Sequence, residues 1–155
     1  MVEIRRLATG GVELAARLDA MLDEAADALG VPFNPVEVVL EAREPDGTLL
    51  GGLSGYGQLG WLFVKLLALT PEARGRGVGM QLIRRAEDVA REHGWSGVYL
   101  DTFTFQAPAF YRKLGYREIG RLPAIDGHPQ RIWFARKLAA TGETKHAAKE
   151  IDQDE

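Results

Sequence analysis

The chain has 155 residues, of which 46% are hydrophobic and 26% are charged, and it contains no cysteine. This composition predicts one globular domain and excludes disulfides, a thiol nucleophile and thiolate metal sites. The net charge of −3 arises in residues 139–155, whereas residues 1–138 carry 17 basic and 17 acidic side chains. A neutral domain without a basic face is not expected to bind nucleic acid.

The two ends of the chain predict where the folded part stops. Residues 139–155 are rich in charge and poor in large apolar side chains. We therefore expect a domain over residues 1–138, followed by a disordered acidic tail. No apolar stretch approaches the length of a membrane span, and the N-terminus lacks an apolar signal core, so we expect a cytoplasmic protein with no membrane partner.

The first third of the chain predicts a strand, a helix and a hairpin. Residues 2–8 alternate weakly and predict a first strand, and residues 13–29 have helical periodicity. Val36–Arg43 and residues 48–57 predict two strands joined by the turn-forming residues 45–47. The helix carries one apolar stripe, which we expect to pack in the core: Leu14, Leu18, Met21, Leu22, Ala25 and Leu29.

The rest of the chain alternates strands and helices. Trp61–Leu69 is almost wholly apolar and predicts a central strand. Residues 78–93 predict an amphipathic helix, Gly97–Phe103 another strand, and Pro108 and Gly115 bracket a short helix. Residues 116–122 and 131–138 predict the last strands. The helix at 78–93 is expected to expose its polar residues: Arg84, Arg85, Glu87, Asp88, Arg91 and Glu92. The order β-α-β-β-β-α-β-α-β-β predicts a mixed α/β sheet.

A glycine- and arginine-rich loop at residues 74–79 joins a predicted strand to a predicted helix. Two arginines beside a helix N-terminus are unfavourable unless an anion binds there, and glycines let backbone N–H groups approach such an anion. The pattern therefore predicts a pyrophosphate site. The phosphate loop of nucleoside triphosphatases needs Lys followed by Ser or Thr after its last glycine, and here Met80 and Gln81 stand there. The dinucleotide-binding fingerprint needs two residues between its second and third glycines, and here one residue separates Gly77 from Gly79. A dinucleotide-binding enzyme is a weaker alternative, because Asp101 follows roughly 20 residues later.

Two segments resemble the GNAT family of N-acetyltransferases. Residues 69–79 resemble its motif A, Gln/Arg-x-x-Gly-x-Gly/Ala, with Arg74, Gly77 and Gly79 in the three named places. Residues 109–116, Ala-Phe-Tyr-Arg-Lys-Leu-Gly-Tyr, resemble the family's tyrosine-bearing helix. Residues 101–108 resemble an uncharacterised bacterial subgroup. The resemblance covers residues 2–138 and is densest over 61–118.

The resemblance implies a single domain whose mostly antiparallel sheet has two central parallel strands that splay apart. It implies that acetyl-coenzyme A binds in the gap, with its pantetheine arm along the backbone of Leu67 and Leu69 and no metal involved. The activity implied is acetyl transfer to a primary amine of a small molecule. The pyrophosphate is expected on the backbone N–H groups of Arg74, Gly75, Arg76, Gly77, Val78 and Gly79.

The same resemblance implies that Tyr111 protonates the coenzyme A thiolate as a general acid, while a backbone N–H near Leu67 stabilises the oxyanion. The general base is open. Lys65 is the one ionisable residue of Trp61–Leu69, so no carboxylate is expected on that strand. The candidates are a water chain and three side chains: Glu41, Asp101 and His128.

Three further expectations complete the sequence-based interpretation. Asp101 is favoured as a structural hydrogen-bond acceptor. The apolar run at residues 131–134 suggests a homodimer paired through a strand near the sheet edge. A coenzyme A-binding sensor without turnover is the alternative from another functional class, because the predicted strand before the loop lacks a carboxylate.

Overall fold

The computed structural model describes residues 1–139, which form two compact units, residues 1–34 and residues 35–139. The first unit contains helix α1, Gly11–Ala28, which begins after Gly10 and ends at Leu29. The predicted helix at 13–29 is therefore confirmed. The predicted tail lies, from residue 140 onward, outside the described residues. No helix within residues 1–139 has both the length and the hydropathy needed to cross a bilayer.

Two predictions for the first unit are wrong. Residues 2–8 form no strand, and their side chains are exposed. A strand requires a hydrogen-bonded partner, and alternation along seven residues does not supply one. The apolar stripe of α1 is not core either, since no residue of α1 is buried. Helical periodicity predicts which side chains share a face, but it does not determine whether that face is covered.

The second unit contains a six-stranded sheet and two further helices. Its strand predictions are confirmed to within one or two residues at each end. The strands are β1 Val36–Arg43, β2 Leu49–Gln58, β3 Trp61–Leu69, β4 Gly97–Phe103, β5 Arg117–Arg121 and β6 Arg131–Lys137. Helices α2, Val78–Glu92, and α3, Pro108–Lys113, follow β3 and β4 respectively, and a single 3₁₀ turn spans Pro71–Ala73.

The strands are ordered β1-β2-β3-β4-β6-β5, and β3 and β4 are parallel while every other neighbouring pair is antiparallel. The predicted mixed sheet is confirmed. Strand β6 lies between β4 and β5, so it is not an edge strand. The homodimer prediction placed residues 131–134 near a sheet edge, and β6 indeed lies next to edge strand β5. Both backbone sides of β6 pair within the sheet, with β4 and with β5, so β6 is not itself the edge strand, and the homodimer stays a prediction.

The parallel strands β3 and β4 separate after four residue pairs. Residues 61–64 pair with residues 97–100, but β3 continues to Leu69 without pairing to β4. Lys65 is the extra residue of a β-bulge, since Gly55 of β2 pairs with Val64 while Ser54 pairs with Leu66. Bulges bend a strand and increase its local twist. Beyond the bulge β3 therefore follows β2, and the splayed gap that the resemblance implied is confirmed.

Helix α2 covers one face of the sheet with apolar side chains. Ile83, Ala86 and Ala90 are fully buried in one core cluster with Leu62 and Phe134 of the strands. Because strand side chains alternate between the two faces, the neighbours of these buried strand residues point to the opposite face. That opposite face therefore carries the side chains of Trp61, Phe63, Tyr99, Asp101 and Trp133.

The polar face of α2 holds one exception to its predicted exposure. Glu87 was expected to face water, yet it is 0% exposed. Its carboxylate pairs with Arg84, Nη1 to Oε1 at 2.6 Å, and with Arg136 of β6. Arg84 also donates to the carbonyl of Leu114, at the end of α3, over 3.2 Å. A buried carboxylate is tolerated when charged donors surround it, so this network ties α2 to β6 and to α3.

Candidate active site

A cavity of about 690 Å³ lies where β3, the loop at 74–79, α2 and α3 meet. It brings together eight of the nine predicted site residues: Leu67, Leu69, Arg74, Gly75, Gly77, Val78, Gly79 and Tyr111. These residues come from three segments of the sequence. The gap between β3 and β4 makes room for them, and both α2 and α3 begin beside it.

Helix α2 begins at this cavity with unpaired backbone donors. Gly77 is the N-cap residue and has φ of 77°, a left-handed conformation that favours glycine. In the part of the chain that the structure describes, no side chain caps this helix, and no acidic residue lies in its first turn. The first N–H groups of a helix lack intrahelical acceptors, and the helix dipole adds a partial positive charge. The cavity therefore contains an anion-binding element that no side chain of the helix occupies.

Strand β3 presents a second set of backbone groups. Beyond the bulge its residues pair with β2 on one side, as Leu67 with Leu53 and Leu69 with Gly51. Its other side, towards β4, pairs with no strand of the described chain after Val64. A free strand edge of this kind can accept an extended, amide-containing molecule as an added strand. The edge and the helix N-terminus line the same cavity.

Arg76 is the predicted site residue that does not line the cavity. Its guanidinium Nη1 lies 2.7 Å from Oε1 of Glu44, and both side chains are partly exposed. The two arginines of the loop therefore differ, since Arg74 faces the cavity and Arg76 binds the β1–β2 turn region. Sequence alone treated them as equivalent because both flank the same glycine.

Tyr111 closes the cavity on the α3 side. It is 8% exposed and its ring packs against Phe110, Tyr116 and Phe134 at centroid distances of 5.2 to 6.1 Å. Burial raises the pKa of the Tyr111 phenol to about 12, and the negative charge of Asp101 adds to the shift. Tyr111 is therefore fully protonated at neutral pH. Tyr116 is also buried, but it does not line the cavity and its hydroxyl has no hydrogen-bond partner in the described chain.

The three side chains considered as a general base occupy different places. Asp101 is the first residue of β4 past the parallel pairing, its side chain is 18% exposed, and its Oδ1 accepts from Arg131 Nε at 3.1 Å. Glu41 lies on edge strand β1 with 62% of its side chain exposed, and a hydrogen bond from Arg43 lowers its pKa. His128 lies in an exposed turn between β5 and β6. Of the three, only Asp101 influences Tyr111 electrostatically.

Sequence reasoning missed four residues of the cavity wall. They are Ala68, Met80, Ala107 and Phe110. Ala107 and Phe110 stand three positions apart at the start of α3, a spacing that places side chains on one helical face. Tyr111 follows Phe110 directly, so the spacing of Ala107 and Phe110 was a sequence signal that could have assigned both residues to the cavity wall. Within residues 1–139, no group of three or more His, Asp or Glu side chains is arranged to hold a metal ion.

Known proteins share this fold and sequence pattern. Residues 7–116 match the acetyltransferase (GNAT) family. Blasticidin-S acetyltransferase of Streptomyces morookaense is 41% identical over 116 residues, which are 69% of this chain and 85% of that protein. The crystal structure of an acetyltransferase from Bacillus cereus ATCC 14579 has a TM-score of 0.74 and 27% identity, and the match covers 86% of this chain and 98% of that one.

A Bacillus anthracis protein whose crystal structure contains acetyl coenzyme A has a TM-score of 0.61 and 19% identity, over 68% of this chain and 64% of that one. That likeness is one of fold. With the family match over most of the second unit, the class of protein is clear, and the chain belongs to the acetyltransferase (GNAT) family. It is an acetyl-coenzyme A-dependent N-acetyltransferase.

Proposed function

We propose that the cavity between β3, α2 and α3 is the acetyl-coenzyme A site. The observation that carries this proposal is the uncapped N-terminus of α2, which opens into the same cavity as the free edge of β3. The pyrophosphate binds the N–H groups of residues 74–79, and Arg74 supplies a positive charge from the cavity wall. The pantetheine amides pair with β3 near Leu67 and Leu69. This arrangement directs the thioester towards the point where β3 and β4 part.

We propose that Tyr111 is the general acid of the reaction. When an amine attacks the thioester, an oxyanion forms, a backbone N–H near Leu67 stabilises it, and its collapse expels the coenzyme A thiolate. The protonated phenol of Tyr111 donates to that sulfur. The support is its place on the cavity wall and its raised pKa, which keeps the proton on the phenol at neutral pH.

We propose that the acceptor is a primary amine of a small molecule, and that blasticidin S is the first acceptor to test. The support is the 41% identity to Blasticidin-S acetyltransferase over 85% of that protein. The assay is thiol release from acetyl-coenzyme A with blasticidin S, polyamines, amino acids and arylalkylamines. Release with none of these amines, despite tight binding of acetyl-coenzyme A, would instead favour a sensor without turnover.

Replacing Tyr111 with Phe tests the acid. We expect kcat to fall by about 100-fold or more, because general acid catalysis contributes 10²–10⁴-fold, while acetyl-coenzyme A affinity stays unchanged. Tyr116→Phe is the matched control, since it removes the hydroxyl of a buried tyrosine that lies outside the cavity wall. We expect it to keep kcat within about twofold. Equal kcat values for the two variants would refute the role of Tyr111.

Replacing Gly77 with Ala tests the pyrophosphate site. An alanine Cβ at Gly77 meets no atom within 4 Å, so the change acts through the left-handed backbone, at a cost of about 1–2 kcal/mol. We expect the displaced N–H groups to weaken acetyl-coenzyme A binding by about tenfold, measured by calorimetry. Gly94→Ala is the control at the other end of α2, with φ of 71° and equally open space. We expect Gly94→Ala to lower the free energy of unfolding about as much as Gly77→Ala and to leave the affinity for acetyl-coenzyme A unchanged. A loss of affinity in Gly94→Ala and not in Gly77→Ala would show that the pyrophosphate binds elsewhere.

We propose that Asp101 accepts the proton of the attacking amine, directly or through water. It stands at the opening of the gap and influences the pKa of Tyr111, whereas Glu41 lies on edge strand β1 with most of its side chain exposed. Each carboxylate pairs with one arginine, Asp101 with Arg131 and Glu41 with Arg43, so their place in the fold is what distinguishes them. This goes beyond the structural role that sequence favoured for Asp101.

Asp101→Asn preserves the shape of the side chain and removes the base. We expect kcat/KM at pH 7 to fall by about 100-fold and to recover partly as rising pH deprotonates the amine in solution. Glu41→Gln should change kcat/KM by less than about twofold at every pH. If Asp101→Asn lowers kcat/KM by the same factor at every pH, with no recovery at alkaline pH, Asp101 has a structural role and is not the base.

A further inference from the structure

A second cavity, of about 380 Å³, lies on the sheet face opposite α2. Its walls come from β2, the β2–β3 turn, β3, β4, β6 and β5, and include Tyr56, Leu59, Trp61, Tyr99 and Ile119. Among residues 1–139, no charged side chain lines this cavity. Its polar groups are the hydroxyls of the two tyrosines and the amide of Gln58. This cavity shares no lining residue with the proposed acetyl-coenzyme A site, and its residues have no part in the proposed transfer step.

Two backbone irregularities place apolar side chains in this cavity. Leu59 has φ of 48°, and within residues 1–139 it is the one non-glycine residue with positive φ. A leucine in this conformation costs about 1–2 kcal/mol relative to glycine, and a tight hairpin turn favours Asn or Gly there. Ile119 stands at the β5 bulge, between Glu118 and Gly120. Both side chains are more than half exposed, Leu59 at 58% and Ile119 at 62%, and both line the cavity.

Aromatic rings hold the rest of the wall in place. Tyr56 packs edge-on against Phe63 at a centroid distance of 5.6 Å, and Phe63 packs against Tyr99 at 4.9 Å. Trp61 meets Tyr99 edge-on at 6.2 Å. Mutually packed rings lose little entropy when another ring enters beside them, and they bind planar apolar groups well. The lining therefore suits an uncharged aromatic ring.

One wall residue of the cavity, Tyr99, stands near the point where β3 and β4 part, since it pairs with Phe63 one residue before the last parallel pair. Tyr99 precedes Asp101 by two residues on the same face, which corresponds to about 7 Å along a strand. Trp61 precedes Lys65 by four residues, or about 13 Å. A molecule with one end in the cavity and the other at the gap therefore spans about 7–13 Å.

We propose that this cavity is an acceptor subsite that binds an uncharged aromatic or heteroaromatic ring, and that the acceptor is an amine carried about 7–13 Å from that ring. Leu59 and Ile119 cover the ring from the turn and from β5, and the hydroxyls of Tyr56 and Tyr99 provide neutral hydrogen-bonding groups. This inference rests on the proposed acetyl transfer at the gap, and it names the substrate class that the second cavity selects.

The test uses ω-phenylalkylamines whose spacer grows from one methylene to about eight, which covers this span, with n-alkylamines of equal length as the reference. We expect kcat/KM for thiol release to pass through a maximum at intermediate spacers and to exceed the n-alkylamine value by about tenfold there. Acetylation of both series with equal kcat/KM would overturn the subsite and leave the acetyltransferase proposal intact.

Leu59→Asn separates binding from folding. Asparagine tolerates the left-handed conformation, so we expect this variant to unfold at a higher urea concentration than the parent chain. We also expect the ratio of kcat/KM for phenylalkylamines to kcat/KM for n-alkylamines to fall by at least about threefold, because asparagine does not supply the apolar cover that Leu59 provides. Leu122→Asn, at a residue 52% exposed and outside the cavity, is the control and should keep the preference. An unchanged preference in Leu59→Asn would refute the subsite.

A neutral analogue makes the result independent of turnover. We expect 4-phenylbutan-1-ol, which has the ring and no amine, to bind the parent chain in saturation-transfer NMR and to bind Leu59→Asn at least about threefold more weakly. If Leu59→Asn binds the alcohol more weakly but the protein acetylates no amine, the ring subsite is supported and acetyl transfer at the gap is refuted. Equal binding to both chains, or no binding to either, would overturn the subsite.

Discussion

The parting of β3 and β4 is the constraint on which the rest of the structure depends. Strand β4 is held along its whole length by β6, from Gly97 to Phe103, whereas β3 follows β2 after the bulge at Lys65. Gly55 makes that bulge sterically feasible, because a Cβ there would stand 2.0 Å from the carbonyl oxygen of Phe63. The gap is thus produced by two antiparallel pairings that diverge. Both the free edge of β3 and the room for Tyr111 result from this divergence.

Helix α2 converts that gap into an organised site. Its N-terminus faces the cavity, its apolar side packs on the sheet, and Glu87 connects it through Arg84 to the end of α3 and through Arg136 to β6. Because the Glu87 carboxylate is fully buried, losing either arginine would leave it less well compensated, so the network holds α2 against β6 and the end of α3. The helix that presents the anion-binding N–H groups therefore also anchors the segment that carries Tyr111.

Local patterns in the sequence predicted most of the elements and most of the residues that meet at the cavity between β3, α2 and α3, because both depend on nearby residues. The amphipathic period of α2 and the glycines of residues 74–79 are signals of this kind. The bulge at Lys65 has no local signal, since Trp61–Leu69 is apolar on both sides of it. The burial of Glu87 depends on Arg136, 49 positions later. The failed strand at residues 2–8 and the interior place of β6 are likewise decided by which strands meet, a non-local property.

The difference between the residues that line the two cavities has an evolutionary consequence. Val78, Gly79 and Tyr111 of the proposed acetyl-coenzyme A cavity are buried, so exchanges at these positions disturb the fold. Leu59 and Ile119 stand instead on a turn and on an edge strand, where side chains are largely exposed and surface substitutions change stability little. With the roles proposed for the two cavities, selection can alter which amine such a protein modifies, one exposed residue at a time, while the donor site is retained. Diversification of acceptor choice within one scaffold is the expected outcome.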